Sequence, residues 1–231
     1  MDWLAFLADI AKTLIGSLVG AGLAFQYALR RDKAARRLDQ KAAGNFALAI
    51  LARQFSDFQV TKVGIARHRA WVLKQEPNAP VWMQLNPIQI DYSEALRFDI
   101  RSLEFLFQRG RGEILEKLIK AEQAYRDFTR LVEVHRTVSD EAQRKVADSG
   151  TASDAALETI EATIGPALLA KRRAFTEALF ERMERGGNVY LDAARALRRV
   201  LIEDFGEDGI ISLEPKPDAE IHSIAPAKPA R

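Results

Sequence analysis

Residues 114–135 read ILEKLIKAEQAYRDFTRLVEVH. Within them Ile114, Leu118, Ala121, Tyr125, Phe128, Val132 and His135 recur at alternating steps of four and three. That spacing gathers side chains on one side of an α-helix and scatters them over both faces of a strand. A stripe three heptads long needs a helix of comparable length lying against it. The segment therefore predicts an all-α chain.

Gly110 and Gly112 precede this segment and are expected to end or bend the helix before it. Farther upstream a helix is expected from about Asp91, with Glu94 in a capping-box relation, burying Leu96, Ile100, Leu103 and Phe107. Downstream, residues 139–153 are mostly polar or small and include Asp148, Ser149, Gly150 and Thr151, the composition of a solvated link. Ser153 or Asp154 then caps a helix that carries Ile160 and Ile164, bends at Pro166 and resumes with Leu168, Phe175, Leu179 and Met183 on one side. Gly186 and Gly187 stop it, and Asn188 caps a last helix with Ala194, Leu197, Leu201 and Phe205 inward. A turn at 206–209 and a short extended piece with Ile210, Ile211 and Leu213 follow. From Glu214 on, four of the eight prolines fall in 18 residues with little apolar content, too little to order the segment.

Toward the amino terminus, Pro77, Pro80 and Pro87 accompany Trp82, Met83 and Ile88 in a long connection expected to pack onto the bundle. No proline occurs before it, and Gly44 with Asn45 is the expected interruption between a helix ending near Ala43 and one running from Phe46 to about Gln75. Leu48, Leu51, Phe55 and Phe58 mark the buried face of the second, whereas Lys62 and Arg69 fall where the same heptad would be apolar, so that face must shift or reach solvent.

The first residues carry a different signal. Residues 13–29 are 17 positions without a formal charge, and Arg30, Arg31, Lys33, Arg36 and Arg37 follow at once. At ~1.5 Å per residue the run covers roughly 25 Å, and a start at Ile10, with Lys12 snorkelling to the headgroups, extends it to a full crossing of the ~30 Å hydrocarbon layer. Trp3 and Tyr27 suit the two interfaces, and the basic residues after the run place the amino terminus outside and the body in the cytoplasm. A cleaved secretory signal would want a basic leader and a neutral stretch after its core; Asp2 and the arginines are the reverse. A helix buried in a soluble bundle is the competing reading, since Asp9, Lys12 and Gln26 dilute the apolar content. The arginine cluster and aromatic anchors favour the inner membrane. Thr13, Gly16, Ser17, Gly20 and Ala24 form one stripe of small side chains, with Gly16 and Gly20 in GxxxG spacing, which predicts packing against another membrane protein or a second copy. Arg30, Arg31, Lys33, Arg36 and Arg37 are expected at lipid headgroups.

The expected organisation is thus a transmembrane anchor over 1–29, a cytoplasmic antiparallel bundle of four or five long helices over 30–213, and a proline-rich tail over 214–231. The 231 residues hold 34 basic and 32 acidic side chains, so the net charge of +2 gives no chain-wide field for nucleic acid. The absence of cysteine removes thiol nucleophiles, disulfides and cysteine-ligated metals.

No reaction is written in the remaining residues. His68, His135 and His222 form no HExxH pair and lack the glutamate spacing of a bundle di-iron site. Asp204, Asp208 and Gly209 fit three positions of a calcium loop, but Gly206 and Pro215 break it. No serine lies in GxSxG or SxxK spacing and no GxxxxGK[ST] loop occurs. His135 continues an apolar stripe and reads as a packing histidine; Lys171, Arg172, Arg173 and Arg195, Arg198, Arg199 are local basic clusters. No catalytic residue, cofactor, metal or small-molecule substrate is assigned. The expected role is a membrane-anchored scaffold, adaptor or regulatory subunit acting by protein–protein interaction, and the alternative is an oligomerising membrane effector of toxin or defence type.

Overall fold

The computed structural model describes residues 3–88, 96–151 and 156–212, with side chains described from Ser17 onward. The expected helix start at Asp91 and Glu94, the caps Ser153 and Asp154, Leu213 and the tail over 214–231 lie outside the described residues. Those described are helical without a strand among them, as the stripe in residues 114–135 requires. Helix α1 spans Trp3–Gln75, α2 Glu104–Gln108, α3 Gly112–Asp148, α4 Leu157–Ile164, α5 Pro166–Arg185 and α6 Asn188–Phe205.

The pairings fix how these elements run. Asp127 of α3 faces Arg182 of α5, and His135 faces Thr176, so α5 is antiparallel to α3. Phe58 of α1 packs on Tyr190 and Gly44 packs on Leu201, so α6 is antiparallel to α1. Asp57 meets Tyr125 while Gln40 meets Arg109 just before α3, which makes α1 and α3 parallel. Consequently α5 and α6 do not form a hairpin but one jointed limb running back along the bundle. The expected four or five antiparallel helices are replaced by three limbs, each about 55 Å long at ~1.5 Å per residue: the second half of α1, the 37-residue α3, and α5 with α6, of 20 and 18 residues. Gly186 and Gly187 both hold right-handed helical backbone, so the chain pauses there without reversing. A Cβ on Gly186 would stand 2.6 Å from the Arg182 carbonyl and 2.9 Å from the Phe58 ring, which is why glycine occupies the joint.

Parallel α1 and α3 need a return crossover, which residues 76–111 provide; its described parts, 76–88 and 96–111, form a mostly irregular strap. A single 3-10 turn at Val81–Met83 buries Trp82; fully buried Gln54 then donates to the Leu96 carbonyl at 2.8 Å, and Arg109 reaches Gln40 at the other end. Of the helix expected up to Phe107, the described residues are α-helical only over the five residues of α2. Successive turns at 99–104, begun by Asp99 accepting from the Arg101 amide, rotate the chain so that Phe98, Leu103, Phe105 and Leu106 are buried while Ile100 and Phe107 are exposed.

Three further breaks fall elsewhere than the sequence suggested. Helix α1 continues through Gly44 because α6 lies on it: a Cβ there would be 2.4 Å from the Leu201 side chain, so the glycine admits a neighbour and does not end a helix. Helix α3 runs on to Asp148, because Ser139 and Ala142 continue the four-and-three stripe with small, fully buried side chains. Pro166 does not bend a helix; Gly165 breaks it at φ 85° and Pro166 opens α5 from its first turn. Past Phe58, the buried face of α1 shifts to Thr61, Ile65 and Val72, leaving Arg69 exposed.

The main core joins α1, α3, α6 and the strap around Leu48, Leu51, Phe58, Leu118, Tyr125, Phe128, Tyr190 and Leu197. A smaller one at the far end unites Trp82, Val138, Ala142, Ile164 and Leu168. Residues 17–39 of α1 are exposed throughout, with Arg37 reaching Phe205 at the edge of the main core. Among the described residues no helix is long and apolar enough to cross a membrane. The uncharged stretch with described side chains, from Ser17 to Leu29, is 13 residues and about 20 Å long; the rest of the expected span lies before it.

Candidate functional site

The exposed arm of α1 carries most of the residues singled out from the sequence. Leu18, Phe25 and Tyr27 are 71%, 66% and 72% exposed, and Val19, Leu23 and Leu29 are open as well. Gly20 and Ala24 lie one turn apart on the face roughly opposite Leu18 and Phe25, and nothing stands within 4 Å of a Cβ placed on Gly20. Ser17 is exposed beside them; Gly16 belongs to the same helix but precedes the described side chains. Arg30, Arg31, Lys33 and Arg36 are exposed on the arm below these residues.

Arg37 faces the bundle. Its Nη2 donates to the Asp204 carbonyl at 3.0 Å and its guanidinium lies 5.9 Å above the Phe205 ring. Lys41 and Asn45 follow at helical spacing: Lys41 donates to the Asp208 carbonyl, and the Asn45 amide both donates to the Gly209 carbonyl at 2.7 Å and accepts from the Ile211 N–H at 3.2 Å. The last carbonyls of a helix and the turn beyond it lack intrahelical donors and sit at the negative end of the helix dipole. Two cations and an amide supplied by one face of α1 satisfy them, so Asn45 is a latch for residues 209–211. Arg109 completes the junction, pairing with Asp204 at 2.8 Å and stacking 5.1 Å above Phe205. Asp204, the first position of the calcium-loop frame, is thus paired with an arginine.

A second polar group lies buried at the far end. His135 is fully buried with Nε2 3.2 Å from the Thr176 hydroxyl, which itself donates to the Arg172 carbonyl at 2.8 Å. Thr176 thus spends its proton on the backbone and accepts from His135 Nε2–H, leaving Nδ1 unprotonated and without a partner among the described residues. Burial, and secondarily the Arg172 charge, pull the imidazole down to about 4, so it is neutral at physiological pH. Arg172 is only 6% exposed, lies 5.0 Å above the Trp82 ring, and has its own pKa lowered by burial. Trp82 in turn donates to Glu161 at 3.1 Å. Sequence placed Arg172 in a surface cluster; its neighbours Leu168, Thr176 and Leu179 at helical spacing were the signal that it faces inward. The imidazole has packing around it and no access from solvent, the geometry of a structural residue. Tyr125 likewise donates to Asp57 at 2.9 Å, and its pKa is raised, chiefly by burial.

His68 is half-buried beside Trp71, and His222 lies outside the described residues. No group of three His, Asp or Glu side chains among the described residues could hold a metal ion. Of the other basic cluster, Arg198 turns to Glu207 at 3.3 Å, whereas Arg195 and Arg199 line an open groove with Lys117 and Lys120 of α3. Comparison with protein-family models, curated proteins and solved structures finds no match. Function must therefore be argued from these surfaces alone.

Proposed function

We propose that this protein is a membrane-anchored helical scaffold, adaptor or regulatory subunit that works through protein–protein contact at the cytoplasmic face. The observation that carries the reading is the arm: an exposed apolar helix continuous with a cored bundle. Nothing in the bundle covers Leu18, Leu23, Phe25 or Tyr27. Most of a helix's stability comes from burying its apolar face, and here nothing in the bundle supplies that burial. A bilayer supplies that burial to the whole circumference of the segment, and residues 3–16, rich in leucine, isoleucine, phenylalanine and alanine, extend it to spanning length. Arg30, Arg31, Lys33 and Arg36 would meet the headgroups, and their position after the apolar run supports a cytoplasmic body.

Alkaline carbonate extraction tests the anchor. The full chain should stay with the membrane pellet, and a chain lacking residues 1–33 should move to the supernatant; extraction of the full chain would remove the anchor from the proposal. Because the protein has no cysteine, a single Gln123→Cys variant reports topology directly. A membrane-impermeant maleimide should label it only after lysis, and labelling in intact cells would reverse the orientation.

The open face of Gly20 and Ala24 favours a second reading, in which spans self-associate and perturb the bilayer. Induced expression separates the two readings: an effector depolarises cells and loses that effect with Gly16→Leu/Gly20→Leu, whereas a scaffold is tolerated.

A further inference from the structure

Between α3 and α6 lies an open groove of about 530 Å³. Lys117 and Lys120 form one wall and Arg195 and Arg199 the other, and half-buried Val189 and Ala196 make the floor above fully buried Ala193. Val189 and Ala196 lie two turns apart on one face of α6, so both open into the groove. Lys120 is paired one turn back with Glu116 at 2.6 Å. Lys117, Arg195 and Arg199 are exposed and make no ion pair among the described residues, and Asp192 is the single acid among the lining side chains.

We propose that this groove docks an amphipathic helix of a partner protein, with an apolar ridge on Val189 and Ala196 and acidic side chains on both flanks. The inference rests on the reading of this protein as a binding module, and the arm enters it only where lipid headgroups are excluded. Small floor residues let a third helix axis come within the ~8–10 Å of ordinary helix packing. Cations on both walls, three of them uncompensated, set a positive potential that acidic flanks would complement. A nucleic-acid backbone would gain nothing from an apolar floor and would meet Asp192. Lipid headgroups are out of reach. The groove lies alongside the part of α1 between Gly44, which packs on Leu201, and Phe58, which packs on Gly187, so it begins about 20 Å beyond Leu29. The headgroup layer is only ~5–8 Å deep on each side.

The test titrates the full-length protein in phosphatidylcholine nanodiscs with a fluorescent, lactam-stapled helix of about 16 residues, leucines along one face and glutamates on both flanks. This probe should bind and weaken as salt rises from about 50 to about 300 mM. Arg195→Glu/Arg199→Glu should weaken it at least about tenfold, and the same peptide with lysine for glutamate should not bind. Ala196→Trp fills the floor without altering a charge and should also block the probe, which separates seating from general attraction. Circular dichroism melts check that each variant is folded.

The proposal falls if the glutamate helix fails to bind, or if its binding ignores both variants. It falls equally if a uridylate oligonucleotide or phosphatidylglycerol vesicles compete at these residues more strongly than the peptide. Binding gained only after removal of residues 214–231 would assign the groove to the chain's own tail and also overturn it. Carbonate extraction of the same variants keeps the two ideas apart, since loss of the anchor leaves the titration standing and loss of the titration leaves the anchor standing.

Discussion

Gly44 and Gly64 occupy the same helix and carry opposite expectations. Gly64 is exposed, and nothing lies within 4 Å of the position an added methyl would take, so Gly64→Ala should stabilise by about 0.5–1 kcal/mol through helix propensity alone. At Gly44 the methyl would enter the fully buried Leu201 side chain at 2.4 Å. Overpacking of this kind costs about 1–3 kcal/mol, enough to outweigh the propensity gain, so Gly44→Ala should lower the urea midpoint where Gly64→Ala raises it. His135 gives a pH test. Its folded value of about 4 lies below the ~6.5 of an unfolded chain, so the unfolded state binds the proton more readily between them. The stability that depends on a neutral imidazole is complete above about pH 6.5, declines as pH falls through the window, and levels off below about 4. His135→Gln keeps a donor toward Thr176 and removes the titration. Urea midpoints of this variant should lose the decline between about pH 6.5 and 5, where most carboxylates remain ionised. An unchanged slope would assign the acid sensitivity to other groups.

Helix by helix, the elements separate what periodicity can encode from what only packing decides. All seven residues of the opening stripe are buried, and its continuation into Ser139 and Ala142 was written in the same four-and-three steps, disguised by small and polar side chains. The break at Gly186 and Gly187 was legible, though not that the chain keeps its direction there; the passage through Gly44 was not, because a glycine that ends a helix and a glycine that admits a neighbour look identical until the neighbour is placed. Buried Arg172 belongs to the same class: its environment is Trp82, which arrives from 90 residues upstream through a strap without period. The exposed arm, by contrast, was the part of the candidate site most visible in the sequence, while the latch at its base depends on contacts between residues more than 160 positions apart. Two substitutions probe these elements. Gly186→Ala drives a methyl toward the Arg182 carbonyl at 2.6 Å, a backbone atom with little freedom, and should cost about 2 kcal/mol or more by chemical denaturation. Asn45→Ala removes both bonds to the turn after α6 and should cost about 1 kcal/mol, with faster hydrogen exchange at the Ile211 amide while α3 amides keep their protection.

At the scale of the molecule, one unbroken helix belongs to two environments. From Gln40 onward α1 is part of a three-limbed core; from Ser17 to Arg36 it is exposed along its whole circumference. Since α1 has no break at Gly44, the arm leaves the bundle along the axis that α6 and α3 hold, and the ten or so residues between Leu29 and Gln40 set the bundle about 15 Å beyond the end of the uncharged run. Arg37 and Lys41 brace that exit against the end of α6, so the orientation of the bundle relative to the arm is a packed feature and not a flexible hinge. The two parts should nevertheless be thermodynamically separable. Removing residues 1–33 takes away no described side-chain contact with the core and leaves Arg37, Lys41 and Asn45 in place, so the urea midpoint of the truncated bundle should match that of the full chain in detergent within about 0.5 kcal/mol. A peptide of residues 1–39 should behave in the opposite way, less helical in water than in phospholipid micelles, because most helical stability comes from burial of an apolar face and the peptide has no core to supply it. If the truncated bundle instead lost stability, the arm would have to fold back onto the core, its apolar residues would be satisfied within the chain, and the bilayer would no longer be needed to cover them.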